Sequence, residues 1–429
     1  MHLEPLFSSH KSELARFHSI VYNVPCAIPL YRILSVYTFY QKSIALDFRT
    51  CALSMVKDKI WRKIARINHS INRSAKEKMP SKIFTISHVT RLISSIFTTN
   101  LTGMIHPEKL SPGDEIRVIS PARSLRLISE EVRSIANQRF SQMGLILTFG
   151  KHVYEMDDAH SSSLESRLED LHEAFRDPKV KAIITVIGGF NSNQLLDSID
   201  WALIKKNPKI FCGFSDITAL SNAMLAKTGL VTYYGPHYSS FGQKLHFDYT
   251  LDGFVKATMK SEPYNIFPSN EWSDDLWFKN QDSRKLIKNQ GFFIINEGKC
   301  EGKIIGGNVT ALVTLKGTPY FPNLSNSILF LEDDEEVLPH HFDRLLCSLI
   351  QLPEFSDVKG IVIGRFQNRS KMTNEELVRI IKTKAKLSKI PIIAGVDFGH
   401  TDPKCTFPIG GTVKVIASKK DKTTIEITD

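Results

Sequence analysis

The chain has 429 residues, of which 42% are hydrophobic and 23% are charged, as in an ordinary soluble globular protein. Its net charge of +10 belongs wholly to residues 1–103, because residues 104–429 contain equal numbers of basic and acidic side chains. The neutral part therefore needs no nucleic-acid partner to explain its charge.

The cysteines and the apolar segments exclude several further classes of protein. The six cysteines are scattered without a CxxC pair, which argues against a structural zinc and predicts free thiols in a reducing, cytoplasmic compartment. The most apolar segment, 21–40, is interrupted by Pro25, Pro29 and Arg32, so we expect no transmembrane span. The first residues also lack the basic and apolar pattern of a secretory signal.

Residues 1–103 form a basic N-terminal extension that is rich in serine and threonine and has little periodicity. Three interpretations stay open: translation from a start upstream of Met104, a targeting or surface-binding arm, and a small helical domain. The clearest helical pattern covers 55–71, where isoleucines share one face opposite basic residues.

The pattern of residues 104–260 predicts an N-terminal α/β domain. Apolar strands are expected at "DEIRVISPA" (114–122), "VKAIITVIGGF" (180–190) and "IFCGFSD" (210–216). A helix is expected over 162–178, with Ser162 and Glu165 as its capping box. Strands that alternate with helices indicate a doubly wound parallel sheet of the Rossmann or flavodoxin type.

Residues 261–298 are polar and aromatic without a sustained period, so they are predicted to be a long connecting loop. A C-terminal α/β domain with a β-rich core is expected over 299–429. Its predicted strands include "SILFLE" (327–332) and "KGIVIGRF" (359–366), and alternation in 412–428 predicts a closing hairpin.

Three polar residues follow predicted buried strands at equivalent positions. Ser215 lies between a strand and a helix, Glu332 ends "SILFLE", and His400 follows "IPIIAGVDFG". Serine hydrolysis requires a nucleophile, a base and an acid that orients the base, and these residues supply that set in the order Ser, acid, His. Singly, each has a structural alternative; Ser215 or Asp216 could simply cap the following helix.

Eight stretches from Met104 onward stand out together, in chain order: "KLSPGDEIRVISPA", "IGGFNSNQLLDSIDW", "CGFSDIT", "TYYGPH", "GKIIGGNVTALVTLKGTPYFP", "ILFLEDDEE", "GIVIGRF" and "GHTDPKCTFPIG". In these stretches and their order the chain resembles the serine LD-carboxypeptidase family (muramoyltetrapeptide carboxypeptidases), and within it the microcin C immunity branch.

The resemblance implies that Ser215 is the nucleophile, His400 the general base and later acid, and Glu332 the residue that orients the histidine. Backbone N–H groups of Asp216 and Gly189 would form the oxyanion hole. It also implies an acyl-enzyme intermediate, no metal or other cofactor, and a homodimer.

The substrate stays open between a cell-wall tetrapeptide, which would lose its terminal D-Ala, and an aminoacyl-nucleotide. Carboxypeptidases of this family typically carry an arginine before the two glycines, where this chain has Ile187. Trp272 and Trp277 in "EWSDDLW" resemble the microcin branch and could stack on a purine or simply pack the loop. The alternative function is a catalytically silent ligand-binding module, which the intact Ser, Glu and His disfavour.

Overall fold

The computed structural model describes residues 103–429. The interpretations offered for residues 1–102, including the basic helix over 55–71, lie outside the described residues. Within 103–429 no helix is both long and apolar enough to cross a membrane.

The described residues form sixteen strands and eight α-helices. The strands are β1 (Glu115–Ile119), β2 (Ile146–Phe149), β3 (Val180–Thr185), β4 (Ile210–Gly213), β5 (Thr232–Tyr234), β6 (Tyr264–Ile266), β7 (Glu271–Trp272), β8 (Ile287–Lys288), β9 (Phe293–Asn296), β10 (Gly298–Asn308), β11 (Ser327–Glu332), β12 (Gly360–Gly364), β13 (Ile392–Val396), β14 (Phe407–Ile409), β15 (Thr412–Ala417) and β16 (Thr424–Ile427). The helices are α1 (Glu130–Gln142), α2 (Leu164–Arg176), α3 (Trp201–Lys206), α4 (Thr218–Thr228), α5 (Asp248–Met259), α6 (Val309–Thr314), α7 (Pro339–Ile350) and α8 (Asn374–Lys382).

The N-terminal domain is built on a six-stranded sheet in the order β14-β5-β4-β3-β1-β2. Strands β1 to β5 are parallel, and their order β2-β1-β3-β4-β5 is that of a flavodoxin-like doubly wound sheet. Helices α1 and α5 pack on one face, and α2, α3 and α4 pack on the other. The predicted fold class of this domain is confirmed.

The sheet also has a sixth strand that the sequence did not predict. Strand β14 comes from the C-terminal half of the chain and pairs antiparallel with β5. A smaller difference concerns α2, whose N-cap is Ser163 and not the predicted Ser162. The Ser163 side chain accepts from the N–H of Ser166, since it is Ser163 that has the extended backbone of a cap.

The C-terminal domain contains an eight-stranded sheet in the order β6-β16-β15-β10-β11-β12-β13-β9. Its centre, β10 to β13, is parallel, and the flanking strands are antiparallel. The predicted closing hairpin is present as β15 and β16. This mixed sheet is the β-rich core expected for the domain.

The segment 261–298, predicted as a connecting loop, contains regular structure. Strands β6 and β9 form the two edges of the eight-stranded sheet, and β7 pairs with β8 in a short separate ribbon. Only the stretches between these strands have the irregular backbone that the composition indicates. Short strands at sheet edges have few side chains to show an alternating pattern, which explains why the sequence did not reveal them.

Candidate active site

Ser215 lies immediately beyond the carboxyl end of β4, before α4. Its φ of +60° is in the left-handed region that non-glycine residues rarely adopt. Strain of this kind persists only where the surrounding structure fixes it, and it is typical of a nucleophile elbow. The turn lifts the serine hydroxyl out of the sheet and toward the C-terminal domain.

Glu332 and His400 come from the corresponding end of the C-terminal sheet. Glu332 is the last residue of β11, and His400 follows β13, with β12 between the two strands. The histidine loop can cross β12 because Gly364 has no side chain: a Cβ there would lie 2.7 Å from the Phe398 carbonyl oxygen and 2.8 Å from the Glu332 Cβ.

The three side chains meet in one continuous chain of contacts. His400 Nε2 lies 3.0 Å from Ser215 Oγ, and His400 Nδ1 lies 2.8 Å from Glu332 Oε2. Both distances are within hydrogen-bond range. The structure thus brings together all three residues that the sequence singled out, although the roles assigned to them stay predictions.

Electrostatics favour an ionised glutamate beside the histidine. Burial alone would raise the pKa of Glu332, but His400 and the Tyr234 hydroxyl outweigh it and hold this pKa below its usual value. Burial likewise lowers the pKa of His400, but the Glu332 charge outweighs it and the net pKa is raised. The pair is therefore arranged to stabilise a protonated imidazole, the state that follows removal of a serine proton.

Tyr234, at the end of β5, connects the nucleophile turn to the glutamate. Its hydroxyl donates to Glu332 Oε1 at 2.6 Å and accepts from the Ser215 N–H at 3.2 Å. This residue was not predicted from the sequence, because a tyrosine in an apolar strand normally indicates packing. The motif "TYYGPH" carried family resemblance but gave no sign that one tyrosine faces the site.

The same motif ends in His237, which is buried behind the nucleophile turn with 2% of its surface exposed. Its Nδ1 lies 2.8 Å from Thr185 Oγ1, and its ring is 4.2 Å from that of Phe214. Burial holds the pKa of His237 well below its usual value. Burial thus disfavours the charged form of His237, whereas the Glu332 charge favours protonation of His400.

Two glycines follow β3 and lie beside the nucleophile and beside Arg123. A Cβ on Gly188 would lie 3.1 Å from Ser215 Oγ, whereas a Cβ on Gly189 would lie 3.2 Å from the Cγ of Arg123. Gly188 is thus the glycine that lies beside Ser215, and Gly189 is the one that lies beside Arg123. The N–H groups of Asp216 and Gly189 make no hydrogen bond to other described residues, and their role as oxyanion donors stays a prediction.

The Asp216 side chain holds the turn that follows these glycines. Its Oδ2 accepts from the N–H groups of Asn191 at 3.1 Å and Ser192 at 2.9 Å, and the Ser192 hydroxyl donates to the Asp216 carbonyl at 2.9 Å. Burial raises the pKa of this carboxyl. Asp216 therefore connects the turn that carries Ser215 to the turn that follows Gly189.

The two tryptophans lie in different surroundings. The guanidinium of Arg365 stacks 5.0 Å from the Trp272 ring. The next residue, Ser273, exchanges backbone hydrogen bonds with Asp402, just beyond His400. Trp277 contacts the apolar cluster of the N-terminal domain. Trp272 is thus tied to the histidine loop, and stacking of either ring on a ligand stays a prediction.

Within residues 103–429 no group of three or more His, Cys, Asp and Glu side chains is arranged to hold a metal ion. The chemistry that the described side chains can perform is nucleophilic attack assisted by a base.

The chain matches both domains of one protein family. Residues 116–235 match the LD-carboxypeptidase N-terminal domain of Peptidase S66, and residues 301–415 match the corresponding C-terminal domain. The putative carboxypeptidase YocD of Bacillus subtilis is 50% identical over 313 residues, 73% of this chain and 96% of the relative. A probable murein peptide carboxypeptidase of the same organism is 31% identical over 318 residues, 73% of this chain and 92% of the relative.

Solved structures agree with this assignment. The crystal structure of an MccF-like protein from Bacillus anthracis superposes with a TM-score of 0.74 at 51% identity, covering 76% of this chain and 99% of that one. The microcin C7 self-immunity protein MccF in complex with aspartyl sulfamoyl adenosine has a TM-score of 0.68 at 30% identity, covering 76% of this chain and 98% of that one. The chain belongs to the Peptidase S66 family of LD-carboxypeptidases and is a peptidase.

Proposed function

We propose that the chain hydrolyses an amide bond with Ser215 as nucleophile, His400 as general base and acid, and Glu332 as the residue that orients the histidine. The observation that carries this proposal is the unbroken chain of contacts from Ser215 Oγ through both nitrogens of His400 to Glu332 Oε2, at 3.0 and 2.8 Å. Each member comes from the carboxyl end of a different strand, where packing alone requires none of them.

In the proposed reaction, Ser215 Oγ attacks the amide carbonyl carbon while His400 Nε2 accepts the serine proton. Glu332 stabilises the imidazolium and fixes its Nδ1–H. The imidazolium then gives its proton to the departing amine, the C–N bond breaks, and an acyl-enzyme remains. A water molecule attacks the ester with His400 again as base, and the acid product leaves with regeneration of the serine.

The negative oxygen of the intermediate would bind to the N–H groups of Asp216 and of the Gly188–Gly189 turn. Neither the Asp216 N–H nor the Gly189 N–H has an acceptor among residues 103–429, so both are available to the intermediate. Because the Asp216 carboxylate binds the N–H groups of Asn191 and Ser192, the two parts of the oxyanion site are held together before substrate arrives.

The substrate we favour is a peptide amide of the cell wall, a tetrapeptide that loses its terminal D-Ala. It agrees with the murein peptide carboxypeptidase among the relatives. The second candidate is an aminoacyl-nucleotide. It is supported by the likeness to MccF in complex with aspartyl sulfamoyl adenosine and by Trp272, whose loop is joined to the histidine loop.

The test uses the full chain and its Ser215→Ala variant, each incubated with the tetrapeptide and with an aminoacyl sulfamoyl adenosine, with products read by mass spectrometry. Hydrolysis that Ser215→Ala lowers by at least about 10³-fold supports the proposal, because loss of a triad nucleophile costs at least that much. The product released identifies the substrate. If both proteins bind ligand but cleave no amide, the silent binding module is the better account.

Two further properties complete the proposal. We expect the protein to act in the reducing cytoplasm, since Cys212, Cys300, Cys347 and Cys405 are all free thiols. We also expect a homodimer, as the family resemblance implies, and light scattering during gel filtration would measure the mass in solution.

A further inference from the structure

The crevice where strand order reverses in the N-terminal sheet lies between the carboxyl ends of β1 and β3. In the order β2-β1-β3-β4-β5 the chain leaves β1 in one direction and β3 in the other, so no crossover fills the space between them. Open α/β sheets bind their ligands at such a switch point. Residues 120–124 line it from β1, and the turn Gly188–Gly189 lines it from β3.

Arg123 is the charged side chain at this crevice. Its Cγ lies 3.2 Å from the position of a Cβ on Gly189, and its guanidinium stacks 5.0 Å from the ring centroid of Phe190. The Phe190 ring is 62% exposed. The Arg123 side chain forms no hydrogen bond or ion pair with another residue among 103–429, and its guanidinium stacks on Phe190, so its five N–H donors are free to bind an anion.

The backbone on both sides of Arg123 is held by buried contacts. Arg167, which is 4% exposed, donates to the carbonyl of Pro121 at 3.3 Å and to that of Asn191 at 3.0 Å. Ser161 Oγ donates to the Ala122 carbonyl at 2.5 Å. The buried guanidinium of Arg167 thus joins the Arg123 segment to the turn beside the nucleophile. This connection fixes the position of the Arg123 backbone and so of its guanidinium.

Ile187, the residue before the two glycines, brings no charge to the crevice. Ile187 packs against the apolar cluster that contains Tyr238 and Phe241. Arg123, beyond the end of β1, supplies a positive charge on the other side of the switch point.

We propose that Arg123 is a specificity-determining residue that binds a free carboxylate of the substrate, one residue away from the scissile amide. Ser215 adjoins Gly188 and Arg123 adjoins Gly189, so both side chains lie beside the same two-residue turn, whose Cα atoms are about 3.8 Å apart. The terminal carboxylate of a carboxypeptidase substrate lies one residue beyond the scissile carbonyl, so a guanidinium beside the turn that adjoins the nucleophile is placed to bind it. The inference rests on the proposed function and selects its peptide substrate.

The test compares a tetrapeptide ending in D-Ala with the same peptide ending in D-alaninamide, using the full chain and three variants. Arg123→Met keeps an aliphatic side chain against Phe190 but removes the charge, and Arg123→Lys keeps the charge without the planar fork. Arg126→Met is the matched control, since Arg126 is exposed three residues further along the same segment.

We expect wild type and Arg126→Met to prefer the acid over the amide in kcat/KM by about 10- to 100-fold, the value of a charge-assisted hydrogen bond. Arg123→Met should lose this preference through slower cleavage of the acid, with the amide rate unchanged, and Arg123→Lys should retain part of it. The inference is overturned if Arg123→Met keeps the preference, or if it loses activity on both peptides equally.

Binding to the Ser215→Ala protein, measured by calorimetry with both peptides, separates the two proposals. If no Ser215-dependent cleavage is found but the acid binds tighter than the amide and Arg123→Met abolishes the difference, the proposed reaction fails and the carboxylate site stands. If the acid and the amide bind equally, the carboxylate site is refuted whether or not the peptides are cleaved.

Discussion

Gly399 is the residue on which contact between Glu332 and His400 depends most directly. Its φ is +98°, and a Cβ at this position would lie 2.7 Å from the Glu332 Cδ. Gly399→Ala therefore combines two costs. A side chain in the left-handed region costs about 1–2 kcal/mol, and the added methyl group must displace the carboxylate that orients His400. A misplaced general base loses about 10²- to 10⁴-fold in rate, equivalent to about 3–5 kcal/mol of transition-state stabilisation.

The matched control is Gly317→Ala, because Gly317 has a similar φ of +79° but nothing within 4 Å of its added Cβ. Backbone strain should cost both variants comparable stability in urea unfolding, and the overlap with Glu332 should add a further loss only in Gly399→Ala. Only Gly399→Ala should lose amidase activity, and the loss should appear as a lower kcat. If Gly399→Ala keeps more than about a tenth of wild-type kcat, below the smallest loss expected for a misplaced base, our account of the site is wrong.

Three further predictions concern the groups around the triad. Tyr234→Phe keeps the ring packed on Phe407 but removes the hydrogen bond to the Glu332 carboxylate, so kcat/KM should fall by about 10- to 100-fold; unchanged kinetics would show that this contact is only structural. The rate should rise with pH as His400 loses its proton, with a midpoint above the ordinary imidazole value because the Glu332 charge raises the pKa of His400. Glu332→Gln removes that charge, so the acidic limb should move to lower pH while the plateau falls, and a limb that stays in place would contradict the assigned pair. Asp216→Ala frees the N–H groups of Asn191 and Ser192, and kcat should fall by up to about 10²-fold, the loss from one misplaced oxyanion donor; full activity in steady-state kinetics would remove Asp216 from the account.

The sequence was sufficient to predict the triad residues as a group because each of them interrupts a strong local pattern. Ser215, Glu332 and His400 all follow continuous apolar strands, and the carboxyl ends of parallel strands collect at one edge of a sheet. This rule predicts which residues lie close together within one domain. The distance from Ser215 to His400 depends on how two sheets face each other, and no local pattern contains that information.

Other parts of the structure were not predictable for the same physical reason. Tyr234 is one of two adjacent tyrosines in β5, and only the tertiary structure decides that its hydroxyl reaches Glu332. Strand β14 has three residues, too few to show a period, and it pairs with β5 across about 170 positions of sequence. Gly188 and Gly189 are equivalent in the sequence, and only their environments distinguish them.

The two domains are joined at the site itself, which makes the geometry of the triad a property of the whole structure. At the start of helix α4, Thr218 Oγ1 accepts from the Asn308 N–H at 2.9 Å, and one turn later Asn222 Nδ2 donates to the Gly306 carbonyl at 2.8 Å. Asn308 in turn donates to Asp333, the neighbour of Glu332, at 2.9 Å. The helix that follows the nucleophile is thus bound to the strand beside the glutamate. A change that weakens these contacts between the two domains should lower the catalytic rate before it unfolds either domain. The reason is that the contact from Ser215 to His400 is the part of the triad that joins the two sheets.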